Sequence, residues 1–184
     1  MAAHLQNPEL LATFAAGFTI LFCLVGVFTY VNFYLADKPF FLGPAALGSV
    51  FAVYLVGIVM TPLSGHMMDR IGDRRTLTAA VVMCAAGISL TLIRSVPVII
   101  AGLALESSGA FVCQATAMSH VGKAAVHAKS SAGGLYVCFY YFGGFIGSVL
   151  PGIFWAQAGW PGCVATVLIF QCFTVALVRK FWRD

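Results

Sequence analysis

Charge is what this chain has least of. Only 9% of its 184 residues are Asp, Glu, Lys or Arg, where an ordinary soluble domain carries about 25%. With 61% apolar residues and a mean hydropathy of +0.96, the chain has more apolar surface than a soluble core of this length hides. The composition excludes a soluble globular domain and implies an integral membrane protein. Other features are missing too. The six cysteines, Cys23, Cys84, Cys113, Cys138, Cys163 and Cys172, form no C-x-x-C pair and lie inside apolar runs. They read as small apolar packing residues and not as a disulfide framework or a metal centre. The segment from Met1 to Glu9 lacks the basic start of a secretory signal. No P-loop, G-x-S-x-G or Cys/His cluster occurs, so no cofactor, no metal and no enzymatic activity are expected. The net charge of +4 does not indicate nucleic acid, because the basic residues sit at the ends of apolar runs.

What is present is a series of such runs. A spanning helix needs about 20 mainly apolar residues. The runs predict six helices, over residues 10–35, 44–68, 76–93, 97–119, 131–155 and 160–178. Asp37-Lys38-Pro39 ends the first, Gly43-Pro44 opens the second, and Arg94-Ser95-Val96-Pro97 makes a tight turn before the fourth. A polar loop from His120 to Lys129 follows, where His120 and His127 are expected to be solvated. The stretch from Ser130 to Val178 carries no charge over 49 residues, too long for one span, and Gly159-Trp160-Pro161-Gly162 divides it. The predicted layout is a six-helix transmembrane domain over 10–180, between a nine-residue leading segment, 1–9, and a short tail, 181–184.

Six spans place both ends of the chain on one side. That side holds Arg70, Arg74, Arg75, Lys123, Lys129, Arg179, Lys180 and Arg183, against Lys38 and Arg94 on the other. The bias makes the first side cytoplasmic. An internal repeat adds order: Gly48, Tyr54 and Gly57 recur as Gly134, Tyr140 and Gly143, each offset by 86. Three helices followed by three more, the second unit inverted, is the plan of many secondary transporters.

The most concentrated feature runs from Gly65 to Leu77. Five of the sixteen charged side chains fall between Asp69 and Arg75, flanked by charge-free runs. It reads as a short turn in water between two membrane helices. Gly65 and Gly72 permit close approach and tight turning. Asp69 can accept from a neighbouring helix N-terminus, and Arg70, Arg74 and Arg75 surround it with positive charge. Spacing alone leaves two readings open, a gating latch or plain positive-inside topology.

The pattern Gly65-x-x-x-Asp69-Arg70-x-Gly72-x-Arg74-Arg75 resembles the cytoplasmic loop of the major facilitator superfamily. Phe28-Thr29-Tyr30-Val31-Asn32, Tyr140-Tyr141-Phe142-Gly143-Gly144 and Leu150-Pro151-Gly152 extend the resemblance along most of the chain. Two positions depart from the family pattern: Asp73 stands where a basic residue is usual, and Met67 where leucine is usual. The resemblance implies the C-terminal six-helix half of a transporter of the bacterial drug–proton antiporter type, in the inner membrane, with residues 1–9 the end of a linker. It further implies alternating access and proton-coupled export of a small solute. The partners it implies are membrane lipid, a small-molecule substrate, and either an N-terminal six-helix half or a second copy of the chain. The other reading is an accessory six-helix membrane fragment without transport of its own.

Three further groups of residues stand out. Glu106 is the one charge in the fourth helix. Such a group costs about 2.5–3.5 kcal/mol at the bilayer centre and is expected to face a cavity or a partner. Gln114, Tyr30 and Asn32 are further candidates to line that cavity. Gly143 and Gly147, with Gly144, Ser148 and Gly152, form two ladders of small residues at four-residue spacing. Such ladders let helices approach closely.

Overall fold

The structure, a computed structural model, describes residues 2–182; Met1 and the tail residues Arg183 and Asp184 lie outside the described residues. Among the described residues every regular element is a helix. A short turn of helix, α1 (Ala2–Leu5), precedes α2 (Pro8–Ala36). Asn7 caps α2: its side-chain oxygen accepts from the backbone N–H groups of Glu9 at 3.0 Å and Leu10 at 3.4 Å. Pro8 sits in the first turn, where its missing N–H costs nothing.

The second apolar run forms α3 (Pro44–Val50), a 3₁₀ stretch (Phe51–Val56) and α4 (Gly57–Ile71). It is followed by α5 (Asp73–Leu90), α6 (Val96–Ala124) and α7 (Lys129–Phe181). By length and composition four helical stretches can cross a membrane: Pro8–Ala36, Pro44–Ile71, Val96–Ala124 and Lys129–Phe181.

The expected charged turn at 69–75 is almost entirely helical. Gly72 alone breaks the chain, with φ 82° and ψ 161°, a conformation that favours glycine. Its N–H donates to Met68 O at 2.9 Å, and its own carbonyl accepts from Thr76 at 3.1 Å. One residue therefore ends α4 and starts α5, and the charges on either side ride on helix termini.

The 53 residues of α7 would measure about 80 Å if straight, more than twice the hydrocarbon thickness of about 30 Å. The helix is not straight. Gly159 takes φ 61° and ψ −146°, and Cys163 Sγ lies 3.4 Å from Pro151 O, twelve residues back. The chain reverses at Gly159, giving two arms. Trp160 secures the reversal: its indole N–H donates to Thr91 Oγ1 at 3.0 Å, and its ring stacks on Tyr34.

Helix α2 lies between these arms. Going up α2, Gly17, Phe18, Phe22 and Gly26 meet Tyr136, Gly143, Gly147 and Pro151, so the first arm runs parallel to it. Thr19, Phe22 and Cys23 meet Thr174, Phe170 and Val167, so the second arm runs antiparallel. Glycine makes the parallel contact possible: a Cβ at Gly143 or Gly147 would strike the backbone of Phe18 or Phe22. Helices α5 and α6 approach as closely, with Gly87 against the backbone at Gly102 and Glu106, and Gly109 against Ala80 and Cys84.

The buried core divides into two apolar clusters. One contains Phe14, Leu77, Val112, Tyr136 and Val178. The other contains Phe22, Val27, Ile88, Leu103 and Val164. In contrast, the run Pro44–Ile71 is largely exposed, with Leu55, Ile58 and Val59 all more than 60% accessible.

Candidate functional site

Glu106 sits on α6 where the two core clusters meet. It is 1% exposed. With Thr19, Cys23, Cys84, Gln171 and Thr174 it lines a narrow cavity between α2, α5, α6 and the second arm of α7. The cavity has about 20 Å³ for the centre of a water-sized sphere, enough for one such occupant. Among the described residues, neither carboxylate oxygen of Glu106 has a hydrogen-bond partner, nor does either polar atom of the Gln171 amide. Buried polar groups are normally satisfied, so two unpartnered groups on one cavity mark it as a site. Thr19 Oγ1 and Thr174 Oγ1 lie 2.5 Å apart on its wall.

Gln171 did not stand out in the sequence. A single amide in a long uncharged run was the available signal, and Gln157 in the same run is exposed. Gln114 does not join Glu106. It lies eight residues along α6, about 12 Å, and its Oε1 accepts from Tyr136 OH at 2.7 Å. Tyr30 is also elsewhere: its hydroxyl donates to Ser148 O at 3.0 Å, beside Gly152. Asn32 Nδ2 donates to Phe28 O at 2.6 Å, and Asn32 lines an open apolar recess with Thr29 and Tyr54. Gly143, Gly144, Gly147 and Gly152 all turn toward α2, meeting Phe18, Leu21, Phe22 and Tyr30. Ser148 Oγ bonds back to Phe145 O at 2.8 Å.

A second polar cluster lies at the end of the bundle where α2 and α5 start and α6 and α7 finish. Asp73 Oδ1 accepts from Lys123 Nζ at 2.8 Å, and Asp73 Oδ2 lies 3.1 Å from His120 Nδ1. His120 Nε2 lies 3.1 Å from Glu9 Oε1. The His120 ring stacks on Trp182 with centroids 3.8 Å apart. This corrects the expectation for His120, which belongs to α6 and is 4% exposed. The helix continues to Ala124, past the point where the polar residues begin, because two carboxylates and an indole ring give His120 a buried place.

Asp69 and Arg70 stand exposed on the last turn of α4, and neither makes an ion pair among the described residues. The acid that binds neighbouring helices is Asp73, the position that departs from the family pattern. Arg74 and Arg75 line a surface hollow with Thr78 and Arg179. Gly65 has open space where a Cβ would stand.

An all-helical chain with these apolar stretches, close-packed through glycine and with its charges other than Glu106 gathered at or between helix ends, is a multi-pass membrane protein. It belongs to the major facilitator superfamily, whose family model matches residues 10–184. It is 33% identical over 177 residues to an uncharacterized transporter of Buchnera aphidicola subsp. Schizaphis graminum, covering 96% of this chain and 43% of that protein. It is 33% identical to the uncharacterized MFS-type transporter YybF of Bacillus subtilis, covering 91% and 41%. It is 32% identical to the inner membrane transport protein YnfM of Escherichia coli, covering 98% and 43%. The chain thus spans less than half the length of these relatives. Its fold superposes on the POT family transporter PepTSo with a TM-score of 0.81, covering 96% of this chain and 38% of that one, at 18% identity.

Proposed function

We propose that this chain is the C-terminal six-helix half of an alternating-access transporter that exports a small solute in exchange for protons. The observation that carries the reading is the family match over residues 10–184, joined to the unpartnered Glu106 carboxyl in the bundle's interior. On this reading the six spans are 8–36, 44–71, 73–90, 96–124 and the two arms of α7. Their plan is a three-helix unit and its inverted copy. Two contacts support the duplication. Gly57 in the second span meets Phe111 in the fourth, and Gly143 in the fifth meets Phe18 in the first. The match is one of helices: the second span against the fourth corresponds to the fifth against the first, with a glycine of the repeat, Gly57 or Gly143, at each crossing.

The largely exposed second span and the outer face of the fifth supply the surface for a partner. Gly48, Gly65 and Gly134 each have open space beside them, and small residues on a bare apolar face are what a close-packing helix requires. The partner is an N-terminal six-helix half, with a second copy of this chain as the symmetric substitute. The side carrying Asp73, His120 and Arg179 is cytoplasmic by the positive-inside bias, in the bacterial inner membrane. There Asp69 and Arg70 engage the partner in one state of the cycle.

The test is solute flux in proteoliposomes containing this chain with its partner half, across a range of pH. Glu106→Gln flattens the dependence of flux on pH. A pH profile identical to the parent's removes Glu106 from the coupling mechanism.

A further inference from the structure

The cavity at Glu106 has an unusual balance of donors and acceptors. Its wall presents two carboxylate oxygens, the Gln171 Oε1 and the hydroxyl oxygens of Thr19 and Thr174. The protons nearby are already committed. The two hydroxyl protons of Thr19 and Thr174 are shared among three acceptors: Ala16 O and Phe170 O, each at 2.8 Å, and the oxygen of the facing hydroxyl. The thiols of Cys23, Cys84 and Cys113 point to the carbonyls of Val167, Glu106 and Leu77. Apart from the exchangeable proton of Glu106, the Gln171 amide is the free donor left on the wall among the described residues.

Charge is unbalanced in the same direction. Cys23 from α2, Cys84 from α5 and Cys113 on α6 are the titratable groups on the wall, the Tyr54 phenol of the 3₁₀ stretch lies within electrostatic reach of Glu106, and the second arm of α7 contributes neutral Gln171 and Thr174. Among the described residues no lysine, arginine or histidine lines the cavity. An ionised Glu106 therefore needs one positive charge beside it, and isolated buried charge is strongly disfavoured. Five side-chain oxygens stand among three thiols and three aliphatic side chains on the wall, and oxygen ligands suit a hard cation. A single carboxylate matches a single charge, and the room available matches one water-sized occupant.

We propose that this cavity binds one dehydrated alkali cation of sodium's size, taken up in exchange for the proton of Glu106. The exchange balances: the neutral carboxylic acid plus Na⁺ gives the carboxylate–Na⁺ pair and a released proton. Gln171 Oε1, Thr19 and Thr174 complete the oxygen shell. The site lies within one six-helix unit and does not need the partner half. The inference deepens the transport reading by naming an ion that Glu106 carries, and it is tested by binding, so loss of one does not entail loss of the other.

The experiment uses the purified chain in detergent, weakly buffered, with NaCl exchanged for choline chloride at constant ionic strength. Sodium releases protons from the parent chain and raises its thermal midpoint. Glu106→Gln loses both responses, and Thr174→Val raises the half-saturating sodium concentration by roughly tenfold or more. The Thr174 variant keeps the test alive if Glu106→Gln does not fold. Absence of a sodium response in the parent overturns the proposal and leaves Glu106 a site for a proton alone. A response unchanged in Glu106→Gln, or an affinity unchanged in Thr174→Val, also overturns it.

Discussion

His120 Nδ1 and Asp73 Oδ2 lie 3.1 Å apart, and this contact ties the end of α6 to the start of α5. The same ring reaches Glu9 at the start of α2 and stacks on Trp182 beyond α7. One imidazole thus joins all four helix termini at that end of the bundle.

Asp73→Asn and His120→Ala each lower the thermal midpoint in detergent, by the equivalent of about 1–3 kcal/mol, because each leaves a buried polar group without its partner. Lys123 adds little, since its side chain is 61% exposed. The two substitutions act on one bond, so the double variant loses less than the sum of the singles. A double-variant loss equal to that sum shows that the two residues act independently.

Asp69→Asn behaves differently. Its carboxylate is exposed and makes no ion pair among the described residues, so thermal stability and membrane insertion stay at the parent's level. The gating role proposed for Asp69 predicts that flux through the assembled transporter falls. Normal flux at normal abundance removes the gating role.

Two glycines that the repeat pairs with different partners give a direct test of the packing. Gly143→Ala drives a methyl group into the Phe18 backbone and lowers stability by about 1–3 kcal/mol. Gly134→Ala meets open space and, in the chain alone, is neutral or gains up to about 1 kcal/mol of helix propensity. Thermal unfolding of the two variants side by side reads the difference, and equal midpoints contradict the packing described for α2 and the first arm of α7.

Much of the helical layout was legible in the sequence, because long uncharged runs need a membrane and Pro and Gly punctuate them. Asn7-Pro8 and Gly43-Pro44 mark helix starts, and Gly159 marks the reversal. The buried role of Asp73 was not legible, for a physical reason. Composition shows where charges are dense but not which face of a helix they occupy, and one residue's rotation at Gly72 puts Asp73 inside and Asp69 outside. The polar sequence neighbours of His120 point to a solvated ring, while its spatial neighbours Glu9, Asp73 and Trp182 lie far away in the chain. Glu106 was legible as a costly buried carboxyl. Its companion Gln171 was not, since facing across a cavity depends on how α7 folds back.

Topology is checked by cysteine labelling in a cysteine-free background, which removes the exposed Cys138 and Cys172. A cysteine in place of Lys38 reacts from outside, and one in place of Arg74 reacts only from inside. The reverse pattern inverts the proposed orientation.

The central claim is that this chain is one half of a transporter whose solute path lies between two six-helix units. The direct measurement is reconstitution of the chain into proteoliposomes, with oligomeric state and saturable solute flux under a pH gradient read on the same preparation. The account predicts no saturable flux from the monomer, and flux when an N-terminal half or a second copy shares the particle. Saturable flux from a demonstrated monomer contradicts it.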